Sequence, residues 1–249
     1  MRRMAISPIG ESIYTVRSVG KLIRVLYKVM CCHMDTYRKC GITHRDISDN
    51  NVLVVRVDGV AYGLLIDYGC AFDKNAESST RPMCTGTLPF MSISNLEVSD
   101  TERTILDDWE SLLYLICVLG TMGIVRQRKV AAARAPPIFG WFNDSAGEIA
   151  RDKRMQMDSK RCFNYLITGH FYDDDDDRCT LAKLAKELRE CLFNNEHLWD
   201  VKYGQGAIKR TDRHMEQRFD PLKIRAEYAD VIGEQLLEIL KAAADKYPA

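Results

Sequence analysis

Two β-rich runs, Val52-Leu53-Val54-Val55-Arg56-Val57 and Val60-Ala61-Tyr62-Gly63-Leu64-Leu65-Ile66, are separated only by Asp58-Gly59. Asp-Gly between apolar runs is a strong two-residue turn signal, so the stretch reads as a tight β-hairpin. This hairpin constrains more than its own residues. It folds its two ends together, which brings Asn51, just before the first strand, within reach of Asp67, just after the second. Immediately upstream, His44-Arg45-Asp46-Ile47-Ser48-Asp49-Asn50-Asn51 places an aspartate five residues before that asparagine, behind a His-Arg pair.

The rest of the 249-residue chain reads as helix. Residues 18–40 form one long amphipathic pattern: Ser18 is a candidate cap, and Val19, Leu22, Ile23, Leu26, Val29, Met30, His33 and Tyr37 recur at three- and four-residue steps. Gly41 follows, where a left-handed C-terminal residue is expected. Residues 70–100 are polar and Ser/Thr-rich, the composition of an exposed loop. A helix is expected from about Asp108 to Leu119, an apolar-periodic segment over roughly 155–168, and a helical pattern at Leu181, Leu184, Leu188, Cys191 and Leu192. A last helix spans about Pro221 to Asp245. The expected fold is α+β, mainly α, in one domain over residues 1–249, with no alternating parallel sheet.

Lys+Arg and Asp+Glu both number 35, so the chain has no bulk charge to drive binding to nucleic acid or an anionic membrane. Leu112 to Val125 is the most apolar segment. At about fifteen residues it is short of the roughly twenty that a bilayer span needs, and it reads as a buried core helix. Nine scattered cysteines without a C-x-x-C pair fit reduced thiols in an intracellular, cytoplasmic or nuclear protein better than a disulfide framework or a zinc site. The five aspartates 173–177 read as a solvated loop before a helix. The cluster Arg126, Arg128, Lys129 and Arg134 reads as a solvated helix end, and Trp141 and Trp199 as core or pocket-filling aromatics.

Asp46, Asn51 and Asp67 each read, alone, as a turn residue or strand-end cap. Jointly, with the hairpin between them, they suit phosphoryl transfer, which needs positioning and charge neutralisation more than covalent work. One amide and one carboxylate suffice for magnesium, a hard cation that keeps several waters. Further along stand Gly86-Thr87-Leu88-Pro89-Phe90-Met91-Ser92 and Asp107-Asp108-Trp109-Glu110-Ser111-Leu112-Leu113-Tyr114. With His-Arg-Asp-Ile-Ser and Asp67-Tyr68-Gly69, these resemble the fungal-type protein kinase domain family, over approximately residues 1–200. More distantly they resemble the casein kinase one group.

That resemblance implies the large lobe of a protein-kinase-like fold, over residues 11–205, with a C-terminal helical extension at 206–249. Residues 1–10 would be a remnant of the last small-lobe strand and hinge. It implies Asp46 as catalytic base, Asn51 and Asp67 as magnesium ligands (manganese being possible), and Thr87 as the residue that bonds Asp46 and favours Ser/Thr acceptors. Asp108 would accept backbone N–H bonds from the His44-Arg45 turn, and a simple helix N-cap is its alternative. Arg45 could pair with a phosphate on the segment carrying Ser78, Ser79, Thr80 and Thr85. Ile6, Ser7, Leu53 and Ile66 would line the ATP site, and His44 and Gly69 would support it, Gly69 by letting the backbone turn sharply.

Three departures from the usual kinase pattern accompany the match. Ser48 stands where most Ser/Thr kinases carry lysine, and can offer a phosphate a hydroxyl but no charge. The fungal-type family also has serine there. Tyr68 replaces phenylalanine, and Ser92-Ile93-Ser94-Asn95 occupies the place of Ala-Pro-Glu. A glycine-rich loop and strand lysine are not found before His44, so the small lobe is expected to be largely missing. Three functions are therefore open: a protein serine/threonine kinase using ATP and magnesium, a pseudokinase acting as a binding module, and a small-molecule phosphotransferase. A protein substrate is the expected partner, with no nucleic acid and no membrane. Association through an exposed apolar patch near Ile6, Leu53 and Leu65 is a further expectation.

Overall fold

A computed structural model of the protein describes residues 9–75, 86–97, 104–127, 137–167, 171, 181–193 and 221–247, with backbone alone for 123–127 and 221–227. Ile6, Ser7, the hydroxyls at 78–85, the aspartates 173–177, the Arg126–Arg134 side chains and Trp199 lie outside it.

The hairpin forms as its sequence dictates. β3 (Val52–Val57) pairs antiparallel with β4 (Val60–Leu65), from Val52 opposite Leu65 to Val57 opposite Val60. Asp58 and Gly59 both take positive φ, 50° and 79°, the geometry that matches the right-handed twist of the strands. Ile66 falls outside the strand, but its N–H donates to the Asn51 carbonyl at 2.9 Å and extends the ladder by one rung. The sequence did not announce a third strand: β1 (Glu11–Ser12) pairs antiparallel with β3 on its other edge. A second, two-stranded sheet joins β2 (Ile42–Thr43) to β5 (Phe72–Asp73), so the chain entering His44 lies beside the chain leaving Asp67.

α1 (Val19–Cys40) starts at Ser18, whose side chain accepts the Lys21 N–H, and ends at Gly41 with φ 72°. Its stripe is buried from Val19 to His33, while Tyr37 is half-buried. The helix crosses β4 so closely that a Cβ on Gly63 would stand 2.4 Å from the Val25 carbonyl oxygen. α3 (Ile105–Gln127) is longer at both ends than periodicity suggested. Thr104 caps it: its hydroxyl accepts the Leu106 N–H, and Asp107 reaches back to the Thr104 N–H at 2.6 Å. Residues Leu112 to Val118 are fully buried, as a core helix requires.

The segment at 155–168 is not one helix. α5 (Ala146–Asp158) and α6 (Lys160–Ile167) meet at Ser159, which is extended. Residues 70–100 are not uniformly an exposed loop either: a 3-10 turn (Leu88–Phe90) and α2 (Ile93–Glu97) are largely buried, because the Ser92 and Ser94 hydroxyls both bond Asp107. α4 (Gly140–Asn143) carries Trp141, which is fully buried. α7 (Leu181–Phe193) and α8 (Pro221–Ala244) close the core; Leu236 and Leu240 of α8 join the same buried cluster as Leu26 and Leu113. The architecture is mainly helical α+β with two small sheets.

The expected apolar patch is corrected in part. Leu65 is buried, and Leu53 is half-buried with β1 paired to it and Gly10 packed against it; the exposed apolar residues of the sheet are Val57, Val60 and Tyr62, toward the hairpin tip. The seven cysteines among the described residues are free thiols. Among the described residues, no helix is long and apolar enough to cross a membrane.

Candidate active site

The candidate site lies where the hairpin base, the segment 44–51 and the 3-10 turn at 88–90 meet. Asp46 is its centre. One carboxylate oxygen, Oδ1, accepts both the Thr87 N–H and the Thr87 hydroxyl at 2.9 Å. The other, Oδ2, accepts from Asn51 Nδ2 at 2.8 Å, and the same amide also donates to the Asp46 carbonyl at 2.8 Å. Asp46 is thus clamped from both sides, and five residues of sequence close into a ring around its backbone.

Asp67 adopts a left-handed conformation with φ 62°, which turns the chain immediately after the hairpin. Its Oδ1 accepts the Gly69 N–H at 3.2 Å. The reason for glycine at 69 differs from the expected one. The left-handed residue is Asp67 itself, and Gly69 lies in a 3-10 turn (Tyr68–Cys70) where an added Cβ would stand 3.0 Å from that same oxygen. Gly69 keeps room for the carboxylate.

A buried frame holds the segment from below. Asp108 is the fourth residue of α3, not its cap, and accepts the His44 N–H through Oδ2 and the Arg45 N–H through Oδ1, both at 2.8 Å. His33 Nε2 approaches Oδ2 at 2.9 Å. Burial alone would push the Asp108 carboxyl up; His33 and the His44 amide outweigh it and hold the group below the usual carboxylate range. His44 spans the site the other way: its Nε2 bonds the Ile66 carbonyl at 2.9 Å, and its ring packs edge-on against Tyr68 at 4.6 Å. Burial lowers its pKa, which favours the neutral ring.

The other candidate residues are placed with mixed outcome. Arg45 is left-handed with φ 69°, and its guanidinium lies 5.9 Å from the Phe72 ring centre. Ser48 is fully buried, with no hydrogen-bond partner for its hydroxyl among the described residues, so an incoming phosphate meets it only if the surrounding segment opens. Leu53 and Ile66 are half-buried at the hairpin base. His33 is the residue that sequence reasoning passed over, because it was counted as one more position in the α1 stripe. A histidine among aliphatic residues was the available signal. Asp49 also gains a partner from afar: the Tyr14 hydroxyl donates to it at 2.9 Å.

The residues fit a hard divalent cation. Asn51 spends its Nδ2 on Asp46, which leaves the amide oxygen as a ligand, and Asp67 retains Oδ2. Among the described residues no group of three or more His, Cys, Asp or Glu could hold a metal, so a cation here would rely on this amide and carboxylate, with phosphate oxygens and water. No curated protein matches the chain. The family model described as fungal protein kinase matches residues 1–119, and over this span, which holds the hairpin, Asp46, Asn51, Asp67, Thr87 and Asp108, the chain is similar to that family.

Proposed function

We propose that the protein is a magnesium-dependent protein serine/threonine kinase that moves the γ-phosphoryl group of ATP to a protein hydroxyl. The observation that carries this reading is the double clamp on Asp46, from Thr87 on one oxygen and Asn51 on the other. A carboxylate held at both oxygens has one orientation, which is what a base must have to meet an acceptor hydroxyl.

In this reading Asp46 orients the acceptor hydroxyl and takes its proton. Thr87 fixes Asp46 and borders the place where the acceptor chain lies. Asn51 and Asp67 would hold magnesium, which when bound neutralises charge on the phosphate oxygens. Asp108 and His44 keep the 44–51 segment and the hairpin end at fixed separation, through the amides of residues 44 and 45 and the carbonyl of Ile66. Leu53 and Ile66 would face the adenine side, and a protein-kinase-like large lobe is the fold that such a site implies.

The test is transfer from labelled ATP to a generic protein acceptor by the full chain, with magnesium or manganese. Asp67→Ala should lower the rate by orders of magnitude while leaving the fold intact. No transfer with either metal, or turnover of a small alcohol but of no protein, overturns the reading.

A further inference from the structure

Lys153, on α5 and outside the span matched to the family, is fully buried. Its ammonium donates to the Met91 carbonyl at 2.7 Å, and sits 3.8 Å from the Tyr114 ring centre and 5.2 Å from that of Trp141. Burial holds the Lys153 amine well below the usual lysine range, and the charge that works against this is Glu110, on α3. Glu110 Oε1 accepts the Ile93 N–H at 2.6 Å and the Tyr114 hydroxyl at 2.7 Å. The two side chains thus grip consecutive stretches of one loop, Lys153 by the carbonyl of residue 91 and Glu110 by the amide of residue 93.

That loop leads directly to the site. The Phe90 N–H bonds the Thr87 carbonyl at 2.9 Å, and Thr87 reaches Asp46. A Cβ on Gly86 would stand 3.2 Å from the Met91 side chain and 3.1 Å from the Arg45 carbonyl, so Met91 packs under Gly86 beside the catalytic segment. A buried charge pair is poor value as a source of stability, since apolar side chains of similar volume stabilise as well or better; what it fixes is position. Cation–π contact with two aromatic rings holds the ammonium in one place.

We propose that Lys153 and Glu110 are positioning residues which set the Thr87–Ile93 loop against Asp46, and so govern the affinity for the protein acceptor. The proposal rests on the kinase reading for its substrate, but not for the clamp itself. Two arms separate these. In the first, amide hydrogen exchange over residues 86–95 is compared between wild type and Lys153→Met/Glu110→Gln, which removes both charges and leaves neither unpaired. Exchange of the Ile93 amide and its neighbours should rise at least tenfold, with Tm near wild type. In the second, the acceptor KM should rise about tenfold while the ATP KM stays within twofold. Arg189→Met is the control: Arg189 is a comparably buried cation that bonds the Met157 carbonyl, one turn further along α5 than Lys153, and not a residue of the loop, and its loss should move neither readout.

Unchanged exchange at 86–95 in the double variant, or an equal effect from Arg189→Met, overturns the proposal. If the double variant fails to fold, Glu110→Met alone, which deletes the acceptor of the Ile93 N–H, must still loosen Ile93. Absence of transfer by wild type sinks the kinase reading, and the exchange arm still decides the clamp.

Discussion

His33 and Asp108 meet at 2.9 Å with both side chains removed from solvent, and the same carboxylate takes the backbone amides of His44 and Arg45. One buried carboxylate therefore joins α1, α3 and the 44–51 segment. Removing it strands two buried N–H donors and the Nε2 of His33, and each unsatisfied buried donor costs about 1–3 kcal/mol. Asp108→Ala should destabilise the protein by about 3–5 kcal/mol in urea denaturation, and Asp108→Asn by less, since it keeps one carbonyl oxygen. A loss under about 1 kcal/mol for Asp108→Ala would show that the frame is not what holds the segment.

Stability should fall with acid in two stages. The folded state lowers the pKa of His44, with burial as the main cause. Below an unfolded value of about 6.5, the unfolded chain takes up a proton that the native ring resists, so stability is lost as pH drops under that value. Asp108 is also depressed, so its contribution is present above the unfolded carboxylate value of about 3.9 and disappears as pH falls through the folded one. Denaturation midpoints at pH 8, 6 and 5 should decline, and His44→Gln should flatten that first stage. A midpoint constant from pH 8 to 5 would contradict it.

The hairpin and α1 were legible because their signals are local. Asp58-Gly59 names its own turn, and Ser18 and Gly41 name the ends of a helix whose apolar stripe has the right period. That Asn51 and the residue after Ile66 come to one end of the hairpin was legible because the two-residue turn fixes which strand ends meet, and the Ile66 N–H bonds the Asn51 carbonyl. What failed was long-range. Lys153 and Met91 are 62 residues apart in sequence, and no periodicity connects them. Residues 92–95 looked exposed because serine and asparagine are polar, but composition does not say that Asp107 waits inside to satisfy them. Ser159 breaks an apolar-periodic stretch into two helices because α5 and α6 pack on different neighbours, which a one-dimensional pattern blurs.

Two glycines of the hairpin should respond differently to alanine. At Gly63 an added methyl meets the Val25 carbonyl oxygen and the Val29 side chain, both at 2.4 Å. The strand must move away from α1, and overpacking of this kind costs about 1–3 kcal/mol. At Gly59 there is open space, but φ is 79°, and the penalty is the left-handed backbone alone, about 1–2 kcal/mol. Gly63→Ala should also disturb the site, since β4 leads straight into Asp67; Gly59→Ala, at the far end, should lower Tm without changing metal-dependent activity. Equal effects of the two on activity would argue that the hairpin does not transmit its position to Asp67.

Thr87 contributes to Asp46 through two atoms, and only one is its side chain. Thr87→Val keeps the shape and the backbone amide bond but deletes the hydroxyl. The loss of one hydrogen bond to a charged acceptor is about 1.5–3 kcal/mol, which corresponds to a fall in kcat/KM of roughly 10- to 100-fold where losing the bond lets Asp46 leave its productive orientation in the free enzyme, so that the cost falls on reaching the transition state. The fall should appear with a serine peptide, leave the ATP KM within twofold, and be recovered by Thr87→Ser. Valine at 87 with activity within twofold of wild type would mean that the amide alone orients Asp46, and that the hydroxyl is there to border the acceptor chain.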